Sequence, residues 1–282
     1  MNSLKSMISL TTTKLQLAFD GAILATGSAF FYEAHGRPFL VTNRHNLTGR
    51  DQNTGKPLDT KNGGIPNTLK FSMPKYERRG NNIEFTGQQE WNFELRWQLT
   101  NPPWLEHPAL GDKADIVALD LLKHWKDSQQ PVACVNTLPH SHFLSILPAG
   151  SVSVVGYPFG VSVNNHYPIW ITGSIASEPN FDADGKPAMY IDCRTNKGAS
   201  GSPVFSVLNG GTAPVDEVPT TNDMSMHMNF GNFHSAAFYV PVQRFLGIYS
   251  GRINANSDIG LLWREKAVGE VCQSGVPGRP VS

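Results

Sequence analysis

The chain has 282 residues, enough for one large or two modest domains with a substantial hydrophobic core. Lysine and arginine together number 23, as do aspartate and glutamate, so no net charge attracts the chain to nucleic acid or to an anionic membrane, and we expect neither partner. The 26 glycines and 20 prolines favour many short strands joined by turns, which indicates an all-β fold.

Cysteine use and the N-terminal segment bear on the cellular compartment. Three scattered cysteines, Cys134, Cys193 and Cys272, are too few for a disulfide framework, and their odd number leaves at least one free thiol. Residues 1–21 contain neither an unbroken apolar run nor a cleavage site of signal-peptide type, and no segment has transmembrane length. We expect a soluble, cytoplasmic protein.

Apolar runs of strand length recur along the chain, separated by Gly, Pro, Asn and Asp, and such a series indicates a sandwich or barrels. In chain order, the predicted strands are AILATGSAFFYEA (22–34), RPFLVTN (37–43), DIVALDLL (115–122), SVSVVGYPF (151–159), YPIWITGSIAS (167–177), AMYIDC (188–193), SPVFSVL (202–208) and RFLGIYSG (244–251). The only helices predicted are short, near residues 121–127 and 263–270.

Three segments rich in turn-forming residues separate these runs. Residues 51–110 indicate a long loop region with one hairpin around NIEFTGQQEWNFELRWQL (82–99). The proline-containing stretch near 128–149 is a candidate linker between halves, and the polar residues 209–232 predict a mobile surface loop.

The segment TNKGASGSPVF (195–205) places Ser200 between glycines. A serine hydroxyl becomes nucleophilic when a base takes its proton, and the tetrahedral product needs N–H donors aimed at its oxygen. Gly198 and Gly201 suit a tight turn in which the amides of residues 198–200 form such an oxyanion hole. The alternative is an ordinary turn before a strand. An α/β-hydrolase elbow is excluded because Ser202 stands where that motif needs glycine.

A general base must come from elsewhere in the chain. His45 directly follows the predicted strand 37–43, where a rigid scaffold can present its ring into a cleft. His140 and His142 are interpreted as loop histidines, because no further ligand spacing completes a metal site, and we expect no metal.

A carboxylate should orient the base and stabilise its imidazolium form. Asp112, Asp115 and Asp120 are candidates near one strand. Asp120 lies on the opposite face from Asp115 by period-two parity, and Asp112 falls in the preceding turn. Asp115 is therefore the predicted partner of the histidine.

In this order of histidine, aspartate and serine, the chain resembles the chymotrypsin-fold serine proteases, and most closely the HtrA (DegP-like) trypsin-like peptidases. The segments that are similar to the family's conserved strands are GSAFFYEAHGRPFLVTNRH (27–45), ADIVALDL (114–121) and SVSVVGYPFG (151–160). The segment YIDCRTNKGASGSPVF (190–205) matches the family's nucleophile motif at Asp192, Asn196, Gly198, Ser200 and Gly201.

The resemblance implies a double antiparallel β-barrel. It places His45 and Asp115 on an N-terminal barrel (1–130) and Ser200 on a C-terminal barrel (150–282), with residues 131–149 as the linker. Few residues follow DIGLLWR (258–264), so the resemblance covers the protease domain without the PDZ domain that HtrA proteins usually append.

One departure from the trypsins bears on activation. Disulfide-linked trypsins carry an aspartate just before the nucleophile, and this aspartate pairs with the N-terminus that cleavage releases. Ala199 occupies that position here, so such an ion pair is excluded. We expect an enzyme that needs no N-terminal processing.

The resemblance also indicates how a substrate binds. Ser250, Gly251 and Arg252 would pair with the substrate backbone as an added strand. The side chain of P1, the residue before the scissile bond, would enter a pocket between the segment before the nucleophile, GIYSGRI (247–253) and DIGLLW (258–263). Arg194, Thr195 and Lys197 belong to the first of these walls. Either Arg194 forms the pocket floor and selects an acidic P1, or Arg194 and Lys197 face solvent and P1 is small or apolar.

Together these features predict a serine endopeptidase that acts on proteins or peptides through an acyl-enzyme, without metal or organic cofactor. The alternative is a catalytically silent, protease-like module that holds peptides in the same cleft. The sequence leaves the oligomeric state open.

Overall fold

The computed structural model describes residues 4–60, 63–79, 82–95, 102–124, 132–139, 142, 144–209, 211–215, 224–230, 233–238, 242–254 and 256–279. Nearly half of these residues form strands, and a closed antiparallel barrel packs beside a second, larger antiparallel sheet. The expected all-β, chymotrypsin-like double-barrel fold is thereby confirmed.

The N-terminal half supplies most of the larger sheet, whose order is β17-β6-β7-β3-β2-β1-β4-β5. Its strands are β1 (Thr12–Phe19), β2 (Ala22–Ala34), β3 (Arg37–Thr42), β4 (Thr68–Arg79), β5 (Asn82–Glu94), β6 (Leu105–Glu106) and β7 (Val117–Asp120). The last short strand of the chain, β17, pairs with β6 and so attaches C-terminal residues to this sheet.

The C-terminal half forms the closed barrel, in the order β10-β16-β15-β11-β8-β9. Its strands are β8 (Ser151–Gly156), β9 (Ile169–Ile175), β10 (Ala188–Asp192), β11 (Pro203–Leu208), β15 (Val242–Arg252) and β16 (Ile259–Arg264). A separate three-stranded sheet contains β12 (Gly211–Val215), β13 (Met224–Phe230) and β14 (Phe233–Phe238). The remaining strand, β17 (Val276–Pro277), belongs to the larger sheet.

The described α-helices are short: α1 (Leu4–Leu10), α2 (Arg44–Thr48), α3 (Leu121–His124) and α4 (Glu265–Ser274). Helices were expected near 121–127 and 263–270, where α3 and α4 lie, but α1 and α2 were missed. Within the described ranges, no helix is long and apolar enough to cross a membrane.

Two loop predictions were wrong. Residues 68–94, expected to lie in a long loop region with a hairpin nearer 82–99, form the β4–β5 hairpin. The expected surface loop 209–232 contains β12 and β13, and residues 210, 216–223 and 231–232 of that loop lie outside the described part. Its segment MSMHMNF (224–230) alternates apolar and polar residues, a strand signal that the flanking turn residues obscured.

Side-chain alternation on β2 divides the apolar core. Phe30 belongs to the apolar cluster between the barrel and the larger sheet. The next residue, Phe31, points to the opposite face of β2 and belongs to a second apolar cluster, formed by side chains of the larger sheet. Phe30 meets Phe245 of the barrel edge to face, with ring centroids 5.6 Å apart, and Phe205 lies 5.5 Å from the same ring. This contact fixes the position of the barrel against the sheet at the level of the cleft between them.

A buried carboxylate joins the start of α2 to the C-terminal residues. Glu106 is fully buried, and its Oε1 accepts hydrogen bonds from Arg44 Nε at 3.0 Å, Trp104 Nε1 at 3.3 Å and the Arg279 amide at 3.3 Å. Because Arg44 immediately precedes His45, this ion pair anchors the helix that carries the histidine.

Glu106→Gln is expected to lower the free energy of unfolding by about 3 kcal/mol, because it leaves the mostly buried Arg44 guanidinium without its counter-charge. Glu90→Gln is the matched control. Glu90 pairs with Lys70 at 2.8 Å on the surface, and its loss should cost less than about 1 kcal/mol. Denaturant unfolding of both variants measures the difference, and equal effects would contradict an anchoring role for Glu106.

Candidate active site

His45 and Asp115 meet at the edge of the cleft. His45 is the second residue of α2, directly after β3, and Asp115 lies in the bend before β7. The two segments come together because β3 and β7 are neighbouring antiparallel strands. The His45 Nδ1–H donates to Asp115 Oδ2 at 2.7 Å, and the His45 amide donates to Asp115 Oδ1 at 3.0 Å. This pairing places the ring proton on Nδ1 and leaves Nε2 as an acceptor toward the cleft.

A third donor to Asp115 comes from the barrel. The Ser250 hydroxyl, on β15, donates to Asp115 Oδ2, so the buried carboxylate joins the two halves of the fold. Sequence reasoning assigned Ser250 only to substrate pairing and missed this contact. The alternative aspartates have other partners, since Asp120 pairs with Arg37 at 2.6 Å and Asp112 with Arg279 at 3.2 Å.

Ser200 lies in the turn before β11, on the other side of the cleft. The glycines around it are required by their backbone geometry. Gly198 has φ +92° and a Cβ there would lie 2.5 Å from the Tyr157 carbonyl, and Gly201 has φ +89° and would meet the Ser28 carbonyl at 2.0 Å. The Ser200 hydroxyl lies 3.5 Å from the Ser250 carbonyl, and Ser200 lines the same cavity as His45.

Neighbouring segments orient the peptide groups of this turn. The Phe159 amide donates to the Lys197 carbonyl at 2.6 Å, so the N–H of the same peptide unit, that of Gly198, points the opposite way. The Ser28 hydroxyl, fully buried on β2, donates to the Gly198 carbonyl at 2.7 Å and accepts from the Tyr157 amide at 2.9 Å. The Lys197 and Gly198 carbonyls are thereby both hydrogen-bonded to neighbouring segments, which fixes the orientation of their peptide groups.

The three predicted oxyanion donors differ in availability. The Ala199 amide donates to the Asn196 carbonyl at 3.1 Å, so it is not free to bind an oxyanion. The prediction of Ala199 as an oxyanion donor is therefore corrected. The amides of Gly198 and Ser200 have no acceptor within the described residues. A cavity beside Ser200 therefore has two backbone N–H groups free to bind an oxyanion.

The predicted substrate-binding residues divide into two groups. Arg194 and Lys197 are exposed, whereas Thr195 is 2% exposed and its hydroxyl bonds to that of Tyr249, which is 1% exposed. The register of β15 with β11 ends at Ile248, which lies opposite Pro203. Ser250–Arg252 continue β15 beyond that point, alongside β16. Their edge opposite β16 is not paired with another strand in the described part of the chain.

No group of three or more His, Cys, Asp and Glu side chains within the described ranges is placed to hold a metal ion. His140 lies outside the described residues. Burial raises the pKa of Cys193 to about 11 and that of Cys134 to about 12, so these thiols are protonated at neutral pH.

Comparison with known proteins assigns the family. The sequence profile of the trypsin-like peptidase domain matches residues 27–211, a range that includes the His45, Asp115 and Ser200 positions. The chain belongs to the trypsin-like peptidase family. It is a serine endopeptidase, as the resemblance implied, and its substrates are proteins or peptides.

Solved structures similar to this peptidase include two bacterial proteases. The active form of the Rv3671c protease from M. tuberculosis is 12% identical, with a TM-score of 0.48, over 100% of this chain and 90% of that one. The serine endoprotease from Yersinia pestis is also 12% identical, with a TM-score of 0.46, over 95% of this chain and 67% of that one. No curated protein matches the sequence.

The electrostatics of the His45–Asp115 pair favour the imidazolium form of the ring. Burial alone would lower the pKa of His45, but the charge of Asp115 and the hydrogen bond to it outweigh burial, and the pKa is raised above the ordinary 6.5. Burial would raise the pKa of Asp115, but His45 and the Ser250 hydroxyl lower it below the ordinary 3.8. Asp115 is therefore ionised throughout the pH range in which His45 titrates.

In this peptidase, kcat/KM for a peptide is expected to fall on acidification with a midpoint above pH 6.5, because only the neutral ring can accept a proton. Asp115→Asn should move the midpoint to lower pH and reduce the rate by about 10⁴-fold, since the carboxylate that stabilises the imidazolium is lost. Asp51→Asn is the control, because Asp51 contributes only a weaker charge effect at His45. A wild-type midpoint below pH 6.5 would contradict this assignment.

Proposed function

We propose that Ser200, His45 and Asp115 form the catalytic triad and that the peptidase acts through an acyl-enzyme. The observation that supports the proposal is that His45, whose ring is oriented by Asp115, lines the same cavity as Gly198 and Ser200, whose amides have no acceptor within the described residues. A base and two candidate oxyanion donors thus belong to residues of one cavity that Ser200 also lines.

In the acylation step, Ser200 Oγ attacks the scissile carbonyl carbon and its proton passes to His45 Nε2. The amides of Gly198 and Ser200 bind the oxyanion. The tetrahedral intermediate collapses as the C–N bond breaks, and His45 delivers the proton to the leaving nitrogen. The new amino terminus departs and the acyl group remains on Ser200.

In the deacylation step, water attacks the acyl carbon while His45 accepts its proton. The same amides stabilise the second oxyanion. Its collapse breaks the ester bond, and His45 returns the proton to Ser200 Oγ. Asp115 keeps its charge throughout and balances the imidazolium that forms twice per turnover.

The tethers of the nucleophile turn support activity without cleavage of the chain. Ala199 cannot make the ion pair that completes the oxyanion hole of processed trypsins. The hydrogen bonds from Phe159 to the Lys197 carbonyl and from Ser28 to the Gly198 carbonyl orient the same peptide groups instead. We infer that the turn is competent in the unprocessed chain.

A fluorophosphonate probe is expected to label Ser200 of the uncleaved chain, and peptide mapping locates the adduct. His45→Ala should slow labelling by at least about 10³-fold, because the hydroxyl loses its base. Ser200→Ala should abolish it. Thr11→Ala is a control that removes a buried hydroxyl distant from the cleft and should label normally.

Folded wild-type protein that is not labelled would support the alternative, a silent module that binds peptides without cutting them. Labelling that appears only after cleavage near the N-terminus would contradict activity of the unprocessed chain.

We infer that the protein fills the P1 pocket with one of its own side chains. Its three expected walls meet at Tyr249, whose hydroxyl bonds to Thr195 and whose ring contacts Gly260 so closely that a Cβ there would lie 2.4 Å from Tyr249 Cε2. Arg194, the alternative pocket floor, is exposed to solvent. We therefore propose that P1 is a small residue.

Peptides with Gly or Ala at P1 are expected to give a kcat/KM at least about 100-fold above that of otherwise identical peptides with Phe or Glu, because a larger side chain would have to displace the Tyr249 ring. Tyr249→Val should open the pocket and raise the rate for larger apolar P1 residues relative to Ala. Tyr32→Val, in the core cluster between barrel and sheet, is the control and should leave the P1 preference as it is. Strong selection for Glu or Asp at P1 would overturn the small-P1 proposal.

A further inference from the structure

Two cavities flank the proposed catalytic residues. The first, of about 340 Å³, contacts His45 and Asp115 and extends along Ser250–Arg252. The second, of about 530 Å³, contacts His45, Gly198 and Ser200 and extends in a different direction, toward β2 and residues 58–66. Ser250, Gly251 and Arg252 do not line the second cavity. The two cavities share His45 and Leu58 and then diverge, the first along Ser250–Arg252 and the second past Ser200 toward β2.

The chemistry of acyl transfer assigns each cavity to one half of a peptide. The acyl half adds to the free edge of β15, so it lies along the first cavity. With the oxyanion at Gly198 and Ser200, the leaving nitrogen must face His45, which protonates it. The residues after the scissile bond, called P1′ and P2′, then continue away from β15. That direction leads into the second cavity, which we call the leaving-side cavity.

The lining of the leaving-side cavity is mostly apolar. Leu17, Leu24, Leu58, Pro66 and Phe159 provide carbon surface. Leu58 is 48% exposed and Phe159 is 65% exposed, so large apolar side chains meet water beside the proposed nucleophile. Covering such surface is favourable by about 25 cal/mol per Å². Asp59 and Lys197 also line the cavity and supply one charge of each sign, so the lining carries no net charge.

The backbone at Phe159 fixes this wall of the cavity. Phe159 has φ +54°, a left-handed conformation that is uncommon for a large side chain, and its amide donates to the Lys197 carbonyl. The residue that orients the nucleophile turn therefore also presents an exposed ring to the leaving side. Phe159 would therefore both contact the substrate through its ring and orient the nucleophile turn through its amide.

We propose that this peptidase selects its cleavage site through a large apolar side chain at P1′ or P2′, bound in the leaving-side cavity. The proposal rests on the proposed triad, which defines the direction of the bound peptide. Because Tyr249 is proposed to fill the P1 pocket, the leaving-side cavity offers apolar surface beside Ser200 that can distinguish one peptide from another. The substrate class is thus a peptide with a small residue before the scissile bond and Leu, Met or Phe shortly after it.

The test uses internally quenched peptides with Ala fixed at P1 and with Leu, Phe, Ala, Glu or Lys at P1′ and P2′. Wild-type enzyme is expected to cleave the best Leu or Phe peptide at least about 10-fold faster, in kcat/KM, than the corresponding Ala peptide. An alkyl ester with the same acyl half, which places no amino-acid side chain in the leaving-side cavity, reports on the catalytic centre separately.

Two variants alter the cavity. Leu58→Ala removes an exposed apolar wall that the two cavities share. Phe159→Asn removes a ring that lines the leaving-side cavity and not the first cavity, while keeping the backbone amide in a left-handed conformation that Asn tolerates. Both should reduce the Leu-to-Ala ratio by about 5-fold to 10-fold and lower peptide cleavage more than ester cleavage. Leu147→Ala is the matched control: Leu147 is also 48% exposed but does not line the leaving-side cavity, and its variant should keep the wild-type ratio.

The outcomes separate this proposal from the proposed function. Cleavage with no preference at P1′ or P2′, a preference for Glu or Lys there, or an unchanged ratio in both cavity variants would overturn the leaving-side proposal while leaving the triad intact. Absence of Ser200 labelling together with absence of cleavage of every peptide and of the ester would overturn the proposed function itself.

Discussion

The buried carboxylate of Asp115 is the interaction on which the rest of the site depends. It is 2% exposed and accepts hydrogen bonds from the His45 ring, the His45 amide and the Ser250 hydroxyl. A buried negative charge is stable only with such partners, and these come from both halves of the fold. The need to satisfy one carboxylate therefore holds α2, the bend before β7 and strand β15 in a single relative position.

The nucleophile turn is held by a second set of contacts that uses no charge. Ser28 on β2 donates to the Gly198 carbonyl, and Phe159 donates to the Lys197 carbonyl. Neutral hydrogen bonds inside a low-dielectric interior are strong enough to orient a peptide group when competing water is excluded. The turn around Ser200 is thus oriented by neutral hydrogen bonds, and the proposed oxyanion hole needs no ion pair at the Ala199 position.

If Tyr249 fills the P1 pocket as proposed, selection among peptide sequences arises elsewhere in the cleft. In the proposed arrangement, the Tyr249 ring takes the place that a P1 side chain would occupy, and its hydroxyl bonds to that of Thr195. Backbone pairing along β15 contributes affinity with little discrimination among sequences. We propose that discrimination depends on the leaving side, where Leu58 and Phe159 are exposed. Phe159 takes part in both proposed functions, because its amide orients the turn around Ser200 and its ring lines the leaving-side cavity. A substitution there is expected to affect catalysis and peptide selection together.

The sequence by itself determined the features that depend on neighbouring residues. The apolar run AILATGSAFFYEA predicted β2 with the bounds that the structure has, and the glycines around Ser200 predicted a tight turn, because both are local properties of the chain. The family also followed from short motifs in a fixed order. The assignment of catalytic roles to His45, Asp115 and Ser200 stays a prediction that labelling and pH profiles test.

Only the tertiary structure decided the contacts that join residues far apart in sequence. Ser250 meets Asp115 across 135 positions and Ser28 meets Gly198 across 170. Thr195 meets Tyr249 across 54 positions, and the leaving-side cavity forms where residues of the two halves come together. No periodicity or spacing encodes such encounters, because they depend on how the barrel packs against the larger sheet, and that packing is set by the whole core at once.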